Sequence, residues 1–416
     1  MSGEGTARGA QRCLVLAGSS GDERRPARPE EGPAWYEPLH IRAPGASRKT
    51  LIEKLSAGAD VLLAPTWLTH PWAASRVGEG RRSRAWTIAA VGLAREATEE
   101  RDAPTLVAGP VPRLLGLDDG TTGRRPTLEA SFSAALRHIC GTLAEAGVDL
   151  LFVEGQGSLA GWREALRTAV DTGLPVWAEL PFVGRDVGED AGPWLEAAAG
   201  AGDVQLLAVV RGSADEAVSG ASALLDHPSG LVGGALFDVS AADDAADDAA
   251  DDAADDAADG RLEDAARRLA LAGASVVGMA DGATAQRITW LRAGVDIAEK
   301  ESREATESAD ATWRAAVQLA ADRAPGGRAA WIGEVRPDLL PEGFAWTVVP
   351  ASELSALPER TYLLVIASTW HARLPDLLEG GGMILTRGAD ALRAAALTVS
   401  DVTDDGAEPI VLARRA

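Results

Sequence analysis

Short apolar runs alternate with amphipathic segments eight times between Cys13 and Ala293, and few architectures can use that rhythm. The apolar runs are Cys13–Ala17, Asp60–Ala64, Thr105–Gly109, Asp149–Val153, Pro175–Leu180, Val204–Val210, Leu231–Phe237 and Ser275–Met279. The segments that follow them predict helices over Ser47–Ala57, Ala85–Glu100, Leu128–Ala146, Leu159–Thr172, Gly192–Ala201, Ala214–Leu225, Leu262–Ala272 and Ala283–Ala293. Strand and helix in strict alternation are the mark of parallel βα units. Eight such units in this length suit a closed (β/α)8 barrel of the TIM type better than an open doubly wound sheet. No Gly-x-Gly-x-x-Gly follows an early strand, which weighs against a dinucleotide-binding sheet. One phrase recurs where helix gives way to strand: Ala57-Gly58-Ala59-Asp60, Ala146-Gly147-Val148-Asp149 and Ala272-Gly273-Ala274-Ser275. Its glycine fits a left-handed helix C-cap, because only glycine takes positive φ without strain.

The barrel accounts for residues 1–294, and the 416-residue chain leaves a second domain over 295–416. There a charged helical stretch, Val295–Asp322, ends at Ala324-Pro325-Gly326-Gly327. Strand-like runs follow at Ala329–Gly333, Ala345–Val349, Tyr362–Ala367, Met383–Thr386 and Pro409–Ala413, so a small α/β domain is expected. Its segment from Thr361 to Gly388 loosely resembles the later half of a nucleotide-type methyltransferase fold. The glycine-rich loop that opens such a fold is missing, which points to a structural or protein-docking role. His371 lies there and is assigned nothing.

Charge narrows the partners. The formal net charge is -22, and nine aspartates of an Ala-Ala-Asp-Asp repeat between Asp243 and Asp259 supply part of it. An acidic surface repels phosphate, so neither nucleic acid nor an anionic membrane is an expected partner. The repeat itself, 241–259, has no residue able to anchor a core and predicts a solvated loop. No apolar run approaches the roughly 18 residues of a membrane span. No apolar leader region precedes Cys13 and only two cysteines, Cys13 and Cys140, occur, so a cytoplasmic protein is expected.

In such a barrel the chemistry gathers at the C-terminal ends of the strands. Those ends carry phrases that resemble the homocysteine S-methyltransferase family. Gly58–Trp67 resembles the family's second-strand phrase, in which a threonine and an aromatic end the strand. Val107-Ala108-Gly109-Pro110 resembles the third, Gly173–Trp177 the fifth and Ala272–Ile288 the closing one. Ala146–Glu154 matches best, ending in the glutamate that in this family holds the amino group of homocysteine. The resemblance spans about residues 11–294 and implies a homocysteine-binding barrel that transfers a methyl group to a thiol. It also implies three cysteine thiolates on a zinc ion that lowers the pKa of that thiol.

Here the chain departs from the family. The positions matching the ligands are Arg211 after the sixth strand and Ala280 and Asp281 after the eighth. Three thiolates cannot come from two cysteines, so zinc is not the expected cofactor, and none other is implied. The first strand ends Leu16-Ala17-Gly18 where the family has an aspartate before the glycine. The seventh ends Leu236-Phe237-Asp238 where a Tyr-Pro-Asn phrase is usual.

The strand-end inventory is Gly18, Thr66, Trp67, Glu154, Glu179, Arg211, Asp238 and Asp281, with His70 and Trp72 just beyond strand two. Glu154 is the candidate for an amino-acid ammonium, or else a buried acid satisfied by nearby amides. Arg211 and Asp281 could pair in the vacated zinc space, since a buried guanidinium needs a partner that fits its fork, or Arg211 could take an anionic ligand. His70 is the candidate general base, against its bland reading as a surface loop residue. Trp67 and Trp72 either line a pocket or pack their loop. Glu154 and Glu179 end adjacent strands, as a glycosidase acid pair would, but without the aromatic and amide groups of a sugar cleft. Two functions follow from this inventory. One is a diverged methyltransferase acting on an amino-acid thiol without the zinc site, its methyl donor undetermined. The other is a non-catalytic barrel that binds a small molecule or serves as a scaffold.

Overall fold

The computed structural model describes residues 12–20, 38–75, 78–114, 125–156, 158–180, 192–211, 214–225, 232–238, 252–323, 327–332, 340, 342, 344–350, 352–353, 358, 362–367, 374–387, 397–404 and 409–415. Two compact units divide the chain, Met1–Glu299 and Lys300–Ala416.

The first unit is a closed parallel barrel. Its strands are β1 (Leu14–Ala17), β2 (Val61–Leu63), β3 (Leu106–Val111), β4 (Leu150–Val153), β5 (Val176–Leu180), β6 (Val204–Arg211), β7 (Val232–Asp238) and β8 (Val276–Asp281). Each pairs with the next, and β8 returns to β1 with Leu14 opposite Val276 and Ala17 opposite Met279. The main helices are α1 (Pro44–Ser56), α2 (Ser83–Thr98), α3 (Arg125–Ala146), α4 (Leu159–Val170), α5 (Gly192–Gly200), α6 (Ala214–Leu225), α7 (Asp252–Leu271) and α8 (Ala285–Arg323). The strands read as unbroken apolar runs because both faces are buried. In β4, Leu150 and Phe152 join the cluster inside the barrel with Leu16, Leu63 and Trp177, while Leu151 and Val153 pack outward against helices.

The recurring helix-to-strand phrase does two jobs. Gly58, Gly147 and Gly273 have φ of 104°, 85° and 92°, the left-handed caps their sequence called for. The acid two places on then ties neighbouring strands together at the lower end of the barrel. Asp60 accepts the Val15 amide at 3.0 Å and pairs with Arg12 and Arg292. Asp149 accepts the Val107 amide at 2.7 Å and both guanidinium NH groups of Arg95, at 2.9 and 2.8 Å.

Two expectations about helices need correction. The Ala-Ala-Asp-Asp repeat, expected as a loop over 241–259, is helical from Asp252 onward, as the start of α7. Alanine is the best helix former, and acids are favoured in the first turn, where the helix dipole is positive. Residues 241–251 lie outside those described. The second correction is at Gly294, where the pattern was expected to change before a separate helix Val295–Asp322. Instead α8 runs unbroken from Ala285 to Arg323. Gly294 is a packing residue: a Cβ there would collide with the Glu263 carbonyl and the Ala266 side chain of α7.

The second unit has a six-stranded sheet in the order β10-β9-β11-β12-β14-β13. These strands are β9 (Gly327–Ile332), β10 (Phe344–Val349), β11 (Tyr362–Ala367), β12 (Leu378–Arg387), β13 (Leu397–Asp404) and β14 (Pro409–Arg415). The first four are parallel neighbours, and β14 lies antiparallel between β12 and β13. The late part of α8 covers one face with Trp313, Val317 and Ala320. β13 went unread in the sequence because Thr398, Ser400, Asp401, Thr403 and Asp404 dilute its apolar pattern.

Candidate functional site

The βα loops rise from the C-terminal ends of β1–β8, and β4 delivers the residue of most interest. Phe152 points into the barrel, and side chains two apart in a strand share a face, so Glu154 stands on the inner side one step higher. Its amide still bonds the Val111 carbonyl at 3.0 Å, which keeps it in the ladder. Glu154 is only 6% exposed. The Trp67 indole donates to its Oε1 at 2.6 Å, and the Arg113 amide donates to its Oε2 at 3.1 Å. Trp67 itself belongs to the inner cluster, so its ring both packs the barrel and aims a donor at Glu154.

Gln156 locks the loops behind this carboxylate. Its Nε2 donates to the Glu154 carbonyl at 2.9 Å, and its Oε1 accepts the Leu114 amide at 3.2 Å. On the next strand Trp177 is inward, and so is Glu179 two residues later. Val153 pairs with Ala178, which sets Glu154 beside Glu179 at the same height. Glu179 Oε2 accepts the Gly155 amide at 3.1 Å, and the Trp162 indole donates to the Glu179 carbonyl at 3.1 Å.

The loop after β2 supplies Thr66, Trp67 and His70. Thr66 is buried, and its hydroxyl has no partner among the described residues. His70 is also buried. Its Nδ1 accepts the Ala73 amide at 3.3 Å, at the start of the short helix Pro71–Ser75, and its ring lies near Trp72 with centroids 6.3 Å apart. Further round the ring, Gly18 directly follows β1 and its amide donates to the Met279 carbonyl at 2.8 Å. A Cβ at Gly18 would strike the Met279 and Ala280 carbonyls, so the backbones of β1 and β8 meet there without side chains between them. Asp281 ends β8, and its Oδ1 accepts the Gly282 amide at 3.0 Å, while Ala280 fills the barrel interior.

Arg211 ends β6 and Asp238 ends β7, but their side chains, and His371, lie outside the described residues. The expected pairing of Arg211 with Asp281 therefore falls outside the description as well. Sequence reasoning passed over Lys54, which is 1% exposed and donates to the Gly18 carbonyl at 2.8 Å. The signal was a lysine on the apolar stripe of α1, between Leu51 and Leu55. It also passed over His40, buried in the short helix Leu39–Arg42 of the β1–α1 connection. His40 Nε2 donates to the Trp86 carbonyl at 3.0 Å, while Nδ1 has no partner among the described residues. Burial lowers its pKa from 6.5 to about 4, against a smaller upward pull from that carbonyl.

The two cysteines are elsewhere. Cys13 directly precedes β1, at the lower end, and Cys140 sits within α3; both are buried and free. Burial pushes both thiols up to about 12. Among the described residues no three His, Cys, Asp or Glu side chains are grouped to hold a metal ion, and no helix is long and apolar enough to cross a membrane.

Comparison with known proteins agrees with this architecture. A family model for homocysteine S-methyltransferase matches residues 15–295. The solved structure of the homocysteine methyltransferase MmuM from Escherichia coli, in its metallated form, is similar with a TM-score of 0.53 at 19% identity. That likeness covers 68% of this chain and 96% of the other. The oxidized form of the same enzyme gives 0.52 at 20% identity, over 68% and 95% of the two chains. A search of curated proteins returns no match.

Proposed function

The chain belongs to the homocysteine S-methyltransferase family, and on that premise we propose that its barrel mouth binds an amino-acid thiol or a related small amino acid. The observation that carries this reading is the Glu154 carboxylate, held inward at the mouth by the Trp67 indole and the Arg113 amide. Glu154 receives the ligand's ammonium group, and Thr66, with a buried hydroxyl and no partner among the described residues, orients the ligand beside it. Trp67 walls the pocket. Gly18 keeps the neighbouring β1–β8 rim free of side chains, and Arg211 is the proposed partner for an anionic group of the ligand.

The family's zinc does not fit this donor set. The matching positions carry Arg211, Ala280 and Asp281, and neither a guanidinium nor a methyl group ligates zinc. Neither Cys13 nor Cys140 stands at a strand's C-terminal end. Methyl transfer here means that the ligand's sulfur attacks the methyl carbon of a sulfonium-type donor. The new S–CH3 bond forms as the donor's C–S bond breaks, and the donor leaves as a neutral thioether with that electron pair. The thiol proton passes to His70 Nδ1, the basic nitrogen of the imidazole in the same β2 loop as Thr66 and Trp67, which gives up the Ala73 amide to receive it.

The lack of thiolates at the mouth favours a second reading, a barrel that binds its ligand without turnover or serves as a scaffold. Calorimetry with homocysteine tests binding, and Glu154→Gln should weaken it by tenfold or more, as loss of a charged hydrogen bond does, at about 1.5–3 kcal/mol. A methyl-transfer assay with homocysteine and S-methylmethionine, run beside metal analysis, separates the two readings. Turnover without zinc supports the first, and binding without turnover supports the second. Turnover with stoichiometric zinc would overturn the metal-free mechanism.

A further inference from the structure

We propose that the second unit binds a small organic carboxylate with an apolar body, in a groove beside β9, β10 and β11. The groove has a volume of about 340 Å³ and is lined by Arg328, Ala345, Trp346, Thr347, Pro358 and Tyr362. That is near the lower end of the roughly 300–1,000 Å³ of small-molecule sites. It lies within the second unit alone, so it is independent of the reading given to the barrel mouth.

Strand register explains how three donor side chains come together there. Arg328 pairs with Ala345 and Ala330 with Thr347, so Arg328, Ala345 and Thr347 share one face of the sheet. Tyr362 begins β11, on the other side of β9, and packs with Ala330 on that same face. Among the described residues, the side chains of Arg328, Thr347 and Tyr362 make no hydrogen bond or ion pair. Exposure to water would satisfy Arg328 and Thr347 without any ligand. Tyr362 is different: it is 3% exposed, and a phenol so nearly sealed ordinarily finds a hydrogen-bond partner. A ligand oxygen in the groove supplies one.

The donor set selects the ligand. No acid is among the lining residues, and the fork of Arg328 matches the two oxygens of a carboxylate. The hydroxyls of Thr347 and Tyr362 can donate to the same group. A single fixed cation suits a monoanion better than a phosphate dianion. The methyl of Ala345 and the rings of Pro358 and Tyr362 suit an apolar body behind the acid.

Calorimetry on the full chain tests this with benzoate, at about 0.15 M salt to screen the acidic field of the chain. Benzyl alcohol, an uncharged counterpart, and inorganic phosphate are run beside it. Benzoate should bind about tenfold or more tightly than benzyl alcohol, the size of one charged hydrogen bond, and more tightly than phosphate. Arg328→Gln should erase that advantage, and since Arg328 is exposed its variant should melt with the wild type. Tyr362→Phe removes only the hydroxyl and should weaken benzoate by about threefold, with a thermal melt to check that the fold is kept. No saturable binding of benzoate overturns the site. So does binding that survives Arg328→Gln, which would place the acid elsewhere on the chain. Phosphate bound as tightly as benzoate, or benzyl alcohol bound equally well, overturns the carboxylate assignment.

Discussion

At the lower end of the barrel, Asp60 and Asp149 begin their strands; at the upper end, Glu154 and Glu179 stand where theirs finish. All four accept a backbone amide, and the other partners described for them differ. Asp60 meets Arg12 and Arg292 and Asp149 meets Arg95, so charge is answered by charge within the protein. Glu154 meets an indole, and the amides on Glu154 and Glu179 come from the loops around the mouth. A guanidinium turns an acid into a clamp between strands. An indole or amide donor aims an acid. The contrast separates the end whose acids tie neighbouring strands to arginines from the end proposed to bind a ligand.

The largest expected effect lies at the lower end. Asp60→Ala should destabilise the barrel by about 3 kcal/mol in urea titration, because it removes a buried acid that holds the Val15 amide and the half-buried Arg292 guanidinium, leaving Arg292 only Asp296 and the Cys13 carbonyl. Asp149→Ala should cost less, since the Asp149 side chain is 31% exposed against 5% for Asp60. Equal and small losses at both sites would break the contrast.

Acid should act next, and on the upper side. His40 belongs to the β1–α1 connection, and burial holds its pKa at about 4 against 6.5 unfolded. A lowered folded-state value means its contribution is complete above pH 6.5 and is lost as pH falls through 4. The loss should reach about 3 kcal/mol, and a variant with His40→Gln should lack that part of the pH dependence in parallel melts. Protonated Nδ1 would meet no acceptor among the described residues, which is the structural face of the same shift.

A smaller stability effect is expected at Glu154. Glu154→Gln should lower the free energy of unfolding by about 1–2 kcal/mol, since the amide oxygen accepts from only one of the Trp67 indole and the Arg113 amide, while ligand affinity falls. A loss as large as that at Asp60 would make Glu154 a clamp as well. The smallest signal concerns the thiols. Cys13 and Cys140 should resist alkylation in the native protein at pH 8 and react only on unfolding, as mass spectrometry would register. Rapid native labelling would place a reactive thiol in the folded barrel.

The barrel was legible because each strand is a short apolar run and each joint carries its own punctuation. Gly58 and Gly147 announce a cap, and Asp60 and Asp149 the start of a strand. The site was legible in part. Glu154 stands out as an acid ending an apolar run, and Thr66 and Trp67 as polar and aromatic residues just past one. What escaped was anything set by long-range packing. Lys54 reads as a surface helix residue until the Gly18 carbonyl is found above it, and His40 sits in a stretch with no strong period. Gly294 looks like a helix breaker because its neighbour on α7 is 31 positions away in sequence. Arg211 could be placed on β6, but a strand assignment fixes only where a residue begins.

The seam between β1 and β8 bears on how the chain comes to be folded. Leu14 meets Val276 across roughly 260 positions, and Gly18 and Gly278 let the two backbones approach where any side chain would collide. A chain emerging from a ribosome at about 5–20 residues per second thus carries β1 with one open edge for some tens of seconds. Until β8 arrives the sheet has two free edges, and the closure entropy of so long a loop must be met at the last step. Substitutions at those two glycines should therefore show themselves in soluble yield before they show themselves in the melting of whatever molecules do close.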